Sequence, residues 1–362
     1  MSTAARTPGR SAPDRRTLLR LATAAAALCT VTALLANAMP DAFAAPAASA
    51  AKPAATPAPG SYDTYTNLAY VPGGTSKQTL NLYVPRGVRG KVPVIMYVHG
   101  GGWGAGSAAE LQGLSGWQTF LDKGFALASI EYTLSGTAIF PQQIYDVKAA
   151  IRFLRASAPK YRLSDQIGLW GGSAGGQLAA LAGTTCGVTP LEGTKGATRE
   201  SSCVQAVVDM VGPTDFIQMD DHLLTPNSMK HNPPTSAESK YLGCTQGLPA
   251  CPASTVQRAN PITYLTTSSK LPPFLIVHGD ADNLVPHWES KILFEALTSV
   301  CADATFYTLN GQDHFLSFAG ALDPPYPTQV KQSTRKCSPV KTAPGPPLNW
   351  DVIAGFFADH LR

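Results

Sequence analysis

Residues 170–176 read Trp170-Gly171-Gly172-Ser173-Ala174-Gly175-Gly176. A short apolar strand, Ile167 to Trp170, leads into this stretch, and an apolar helix, Ala174 to Ala182, leads out of it. Gly-x-Ser-x-Gly recurs by chance, so its flanks decide its meaning. A strand, a sharp turn and a helix is the setting that pushes a serine hydroxyl into the open as a nucleophile. Glycines on both sides of Ser173 let the chain reverse without a Cβ clash. The helix start behind it supplies free N–H groups and a partial positive charge. A phosphate loop would want a lysine after the glycines, and none follows.

Outward from this elbow the chain alternates strands and helices. Thr79 to Val84 alternates like a half-buried strand and stops at Pro85. Val94 to Val98 is a continuous apolar run, as a central parallel strand requires, and Phe125 to Ile130, Val204 to Val211, Phe274 to Val277 and Thr305 to Leu309 repeat it. Gln142 to Ala156 carries Ile144, Val147, Ile151 and Leu154 on one helical stripe, with Asp146, Lys148, Arg152 and Arg155 on other faces. Pro286 to Val300 and Leu348 to Leu361 predict two more helices. The pattern predicts an α/β fold: a mostly parallel central sheet with helices on both faces and no large separate cap domain. Sites on such sheets lie beyond the carboxyl ends of the strands. Two long Pro-rich segments, about 213–269 and 319–347, are expected to be surface insertions near that end.

Three further strand ends carry chemistry. His99-Gly100-Gly101-Gly102-Trp103 follows the Val94–Val98 strand, and three glycines permit a loop whose N–H groups point inward. Gly101, Gly102 and Ala174 are the expected oxyanion-hole donors. His99 is expected to hold the loop and not to act as a base. His278-Gly279-Asp280-Ala281-Asp282 ends the Phe274–Val277 strand. A carboxylate here can accept the Nδ1–H of a histidine. Asp282 is the preferred acid, Asp280 the expected loop-stabilising partner, and Asp215 the outside alternative. His314, just past the Thr305–Leu309 strand, is the histidine that follows the acid on a later strand-end loop. The order Ser173, Asp282, His314, each on its own strand end, makes these three the candidate nucleophile, acid and base.

The amino-terminal residues read differently. Arg15-Arg16 precedes an uncharged Ala- and Leu-rich run from Leu21 to Ala36, about 24 Å of helix, short for a bilayer core. Small residues at Ala36/Ala38 and Ala42/Ala44 offer cleavage sites. Residues 1–44 are therefore expected to be a twin-arginine signal peptide and not a stable membrane anchor. Residues 45–60, of which eight are Ala and four are Pro, are expected to be a linker, leaving 61–362 as the catalytic domain. The six cysteines beyond residue 44 include no Cys-x2-Cys pair, and an even number in an exported chain favours disulfides. Pairing neighbours in sequence gives Cys186–Cys203, Cys244–Cys251 and Cys301–Cys337.

The 362 residues are 44% hydrophobic and only 14% charged, enough apolar material for a sizeable core and too much for a disordered chain. Five arginines and two aspartates in residues 1–44 account for most of the net charge of +4, so the remainder is nearly neutral. No basic stripe points to nucleic acid. Oligomeric state leaves no mark in the sequence.

Together these motifs resemble the α/β-hydrolase superfamily. Gly-Gly-Gly-Trp after His99 and the glycines around Ser173 are similar to the hormone-sensitive-lipase-like esterases. Leu80 to Pro85, Pro141 to Leu154, Ala259 to Thr263 and Pro273 to Pro286 are similar to the smaller secreted feruloyl or acetylxylan esterase-like (BD-FAE type) enzymes. The likeness runs over roughly residues 65–318. It departs at Gly172, where many relatives carry an acidic residue, and over 319–347. The resemblance implies a secreted serine esterase acting on a small or polysaccharide-linked ester through an acyl-enzyme, without metal or organic cofactor. A non-catalytic binding module, or an amide hydrolase of peptidase-like or formamidase-like type, are the competing readings.

Overall fold

Strands buried on both faces must lie in the middle of a layered structure, and Val92–Val98 is buried at every residue. The computed structural model describes residues 62–267, 270–315, 328–333, 337, 339–345 and 347–362, all within the unit Ala48–Arg362. The signal and linker expected at 1–60, and the undescribed parts of the two Pro-rich segments, lie outside these residues.

The strands are β1 (Tyr62–Ala69), β2 (Thr79–Pro85), β3 (Val92–Val98), β4 (Ala126–Ile130), β5 (Leu163–Gly172), β6 (Ala206–Met210), β7 (Phe274–Gly279), β8 (Ala304–Leu309), β9 (Thr328–Ser333) and β10 (Lys341–Pro344). They form one sheet in the order β1-β2-β4-β3-β5-β6-β7-β8-β9-β10. The six from β4 to β8 run parallel to one another. Two antiparallel strands extend the sheet at each side. β9 and β10 come from the segment expected to be a surface insertion. This part of 319–347 is instead sheet edge, with Tyr307 of β8 opposite Val330 of β9.

Five helices that pack on the two faces of the sheet are α1 (Trp117–Asp122), α2 (Gln142–Ala156), α3 (Ala174–Thr184), α4 (His287–Ser299) and α5 (Trp350–Leu361). Alternate side chains of each strand feed two cores. Val94, Met96 and Val98 of β3 join Ile144, Val147 and Ile151 of α2, Leu178 and Leu181 of α3, and Leu293 and Leu297 of α4. Ile95 and Tyr97 face the other way, toward Phe120 of α1 and Trp350, Ile353 and Phe357 of α5. Helices thus cover both faces, as expected.

Helix α2 has the predicted bounds, but its charged positions are not solvated. Asp146, Lys148 and Arg152 are all buried. Lys148 Nζ donates to Thr185 O at 2.6 Å and to Glu192 at 2.8 Å, and Arg152 donates to Glu192 O at 2.9 Å. The loop between α3 and β6 lies over this face and supplies those acceptors. Its ends are joined by the Cys186–Cys203 disulfide. Cys244–Cys251 and Cys301–Cys337 are also bonded, so all three expected pairings are present.

Candidate active site

Ser173 sits at the turn between β5 and α3 with φ 55° and ψ −125°, a conformation that costs a residue with a Cβ on the order of 1–3 kcal/mol. The turn is held from outside: Ser173 N donates to Met210 O of β6 at 2.8 Å, and Gln177 N closes the first helical turn on Ser173 O at 3.1 Å. Close packing of α3 on the sheet needs Gly175, where a Cβ would run into the carbonyl oxygens of Val98 and His99. The amides of Ala174, Gly175 and Gly176 precede the helical ladder and are left without an intrahelical acceptor.

His314 follows β8, and its Nε2 lies 2.9 Å from Ser173 Oγ. Its Nδ1 lies 2.7 Å from Asp282 Oδ2. An ionised carboxylate only accepts, so Nδ1 carries the proton and Nε2 is free to accept from the serine hydroxyl. Asp282 is fixed on its other oxygen by Leu284 N at 2.7 Å and Val285 N at 2.9 Å. Burial opposes ionisation of Asp282, but the positive potential of His314, hydrogen bonds from His278 and His314 and the charge of His278 overcome it. They hold the carboxyl well below the usual carboxylate range. Ser173 is half-buried, and His314 and Asp282 are buried.

The other two aspartates have different partners. Asp280 accepts from Gly311 N at 2.6 Å and so ties the acid loop to the histidine loop. Asp215 accepts from Gln218 Nε2 at 2.6 Å and Asn260 Nδ2 at 2.9 Å, within its own turn.

The glycine loop after β3 lies against the elbow. A Cβ on Gly100 would stand 3.5 Å from that of Ser173. Gly101 has φ +96°, and a Cβ there would collide with the Ala105 backbone, so glycine is required. Gly101 O accepts from Gly104 N and Ala105 N, which curls the loop. Among the described residues, the N–H groups of Gly101 and Gly102 donate to no acceptor. Trp103 anchors the loop: its Nε1 donates to Gln177 Oε1 of α3 at 3.0 Å, and its ring stacks on Tyr241 at 4.4 Å. His99 is fully buried, stacked on Tyr132 at 4.1 Å, with Nδ1 donating to Gly100 O at 2.8 Å. Burial pushes it down to about 4, so it stays neutral at working pH.

The three sequence-predicted strand-end residues therefore converge, with the glycine loop packed against the elbow at Gly100. Sequence reading missed Trp103 and Gln177 as the loop's anchor, and it missed His278. That ring lies on the same Asp282 oxygen as His314, at 3.1 Å. A histidine four residues before the acid was the signal available. Among the described residues, no group of His, Cys, Asp and Glu could hold a metal ion, and no helix is long and apolar enough to cross a membrane.

With this geometry, the relatives become informative. Residues 80–297 match the BD-FAE family. The chain belongs to that family. Esterase LipQ of Mycobacterium tuberculosis is 29% identical over 60% of this chain and 48% of its own length. Esterase LipC of the same organism is 28% identical over 61% of this chain and 52% of its own. The chain thus spans about half the length of these curated relatives. Among solved structures, a truncated form of a carbohydrate esterase from gut microbiota is 30% identical. It covers 84% of this chain and 98% of its own, with a TM-score of 0.69. The fold of this BD-FAE chain is the α/β-hydrolase fold that the sequence led us to expect.

Proposed function

We propose that the protein is a secreted serine esterase that hydrolyses carboxylic esters through an acyl-enzyme. The observation that carries this reading is the unbroken line from Ser173 Oγ through His314 to Asp282, at 2.9 and 2.7 Å. Ser173 attacks the ester carbonyl carbon as its proton passes to His314 Nε2. The carbonyl oxygen, now negative, is met by the amides of Gly101, Gly102 and Ala174, each worth on the order of 100-fold in rate. The C–O bond to the alcohol then breaks, and His314 returns the proton to the leaving oxygen. Water, deprotonated by the same ring, attacks the acyl-enzyme and releases the acid. Asp282 holds the ring in the required tautomer and balances the imidazolium. Every proton in the cycle is moved by these side chains and water.

Acetyl or feruloyl esters of plant polysaccharides are the proposed substrate class. The BD-FAE membership and the similarity to a carbohydrate esterase support it. Export through the twin-arginine route, with residues 1–44 removed and 45–60 as a linker, is supported by Arg15-Arg16 and by the three disulfides.

The test is an acyl series of p-nitrophenyl esters from C2 to C12, run beside acetylated xylan, methyl ferulate and a matched amide, for the wild type and Ser173→Ala. Ester turnover that favours short acyl groups or either plant ester, lost in Ser173→Ala, supports the proposal. Faster turnover of the amide than of its ester assigns an amide hydrolase. No turnover of any substrate by the folded wild type assigns a binding module.

A further inference from the structure

Two histidines, not one, face the same oxygen of Asp282. His278, at the end of β7, is fully buried. Its Nε2 lies 3.1 Å from Asp282 Oδ2 and 3.0 Å from Val285 O. Both neighbours are acceptors, so Nε2 carries the hydrogen. Its Nδ1 lies 2.7 Å from Ser290 Oγ of α4, which is itself fully buried. A neutral ring accepts the serine hydroxyl's hydrogen at Nδ1 and a charged ring donates to its oxygen, so Ser290 holds the ring in either state. Three hydrogens then have a fixed direction: His278 to Asp282, His314 to Asp282, and Ser173 to His314.

With Leu284 N and Val285 N on Oδ1, and His278 and His314 on Oδ2, Asp282 has four donors and no freedom to rotate. Helix α4 therefore fixes the acid through His278. We propose that His278, oriented by Ser290, is a positioning residue that sets how firmly and how strongly Asp282 acts on His314. This rests on the reading of Ser173, His314 and Asp282 as the acyl-transfer residues.

The titratable and charged groups around His278 and its neighbour His287 come from several elements. Asp282 lies on the loop after β7, and His314 on the loop after β8. His287 and Lys291 lie on α4, and Lys331 on β9. His287 packs edge-on to His278 at 5.6 Å and pairs with Thr308 Oγ1 at 2.9 Å. Burial pushes His287 down to about 3, with the charges of His278, Lys331 and Lys291 adding to the fall and Asp282 opposing it. It is neutral where an esterase works, and Asp282 is the one acid among these neighbours.

Loss of His278 has two separable effects. The acid gains freedom, which lowers kcat. Its charge also falls on His314 alone, which makes the imidazolium easier to form and moves the acid limb of kcat/KM to higher pH. A residue that merely fills the core would change neither quantity per active site.

The test compares wild type, His278→Met, His278→Gln and Ser290→Ala on p-nitrophenyl acetate, with active sites counted by an organophosphonate and folding followed by thermal melting. His278→Met fills the space without a donor. It should lower kcat roughly 10-fold with KM within about twofold, and raise the acid limb by about half a pH unit. His278→Gln restores a donor near the Nε2 position and should recover most of both. Ser290→Ala should move both in the same direction but less, and it carries the test if His278→Met does not fold. Unchanged kcat and a coincident pH profile in the folded variants overturn the proposal. If Ser173→Ala keeps wild-type activity, the underlying esterase reading has failed instead.

Discussion

Ser173 illustrates how much one residue's environment decides. Its strained backbone, with φ 55°, is held by Met210 O on one side and Gln177 N on the other. Beside it, Asp209 of β6 is fully buried under the start of α3. Burial raises its carboxyl to about 7, although the Gly212 amide favours the charged form. The sign of the consequence follows from linkage. An unfolded aspartate loses its proton near pH ~3.9, whereas folded Asp209 keeps it until about 7. Between these values only the unfolded chain releases the proton, so stability falls as pH rises, and it levels off above. Glu289, raised by burial to about 8 despite amides from Asp215 and Thr214, acts in the same direction. Asp282 is depressed, so its contribution is present above about pH 4 and is lost as pH falls below that. We predict that Asp209→Asn improves Tm relative to wild type more at pH 8 than at pH 5, as read by scanning calorimetry. An equal difference at both pH values would show that Asp209 is not protonated in the native state across that range.

At the scale of elements, the glycine loop is only as well placed as its anchor. Trp103 joins it to α3 through Gln177 and to the 213–269 segment through Tyr241. Trp103→Phe keeps a ring on Tyr241 but leaves Gln177 Oε1 buried without its donor. That should cost about 1–3 kcal/mol in stability and, through the displaced loop, roughly 10-fold in kcat. Steady-state kinetics beside a melting curve check this, and an unchanged kcat would remove Trp103 from the account. The elements that carry the site were legible because their signals are local. The apolar runs of β3, β5 and β7 are buried on both faces, and each ends in glycine or in a polar loop. The edges were not legible. Thr328-Gln329-Val330-Lys331-Gln332-Ser333 has one large apolar residue, since a strand next to the sheet's edge covers little core, and the edge strand β1 is largely exposed. Lys148 and Arg152 read only as lying off the apolar stripe, because their acceptor, Glu192, is some 40 residues away in sequence. His278 read as a flank of the acid loop because its role depends on a ring meeting Asp282 and Ser290 in space.

Across the whole molecule, the disulfides close loops of unequal length and unequal relevance. Cys301–Cys337 spans 36 residues that include β8, His314 and β9, whereas Cys244–Cys251 spans 7. Chain entropy alone assigns about 4 kcal/mol to the first and about 2 to the second. We predict that Cys301→Ser with Cys337→Ser lowers Tm more than Cys244→Ser with Cys251→Ser does. The first pair should also lower kcat, because its loop carries the base. Melting and kinetics of the two double variants decide it, and a kcat unchanged from wild type in both would make these two bridges surface staples.

The central claim, that Ser173 is the nucleophile, is tested most directly by covalent capture. The folded protein is treated with an organophosphonate, digested without reduction and mapped by mass spectrometry. We predict one phosphonyl group per chain on Ser173, with ester hydrolysis lost in proportion to labelling, and no labelling of Ser173→Ala. A phosphonyl group on any other residue, or full esterase activity in protein labelled at Ser173, would contradict it.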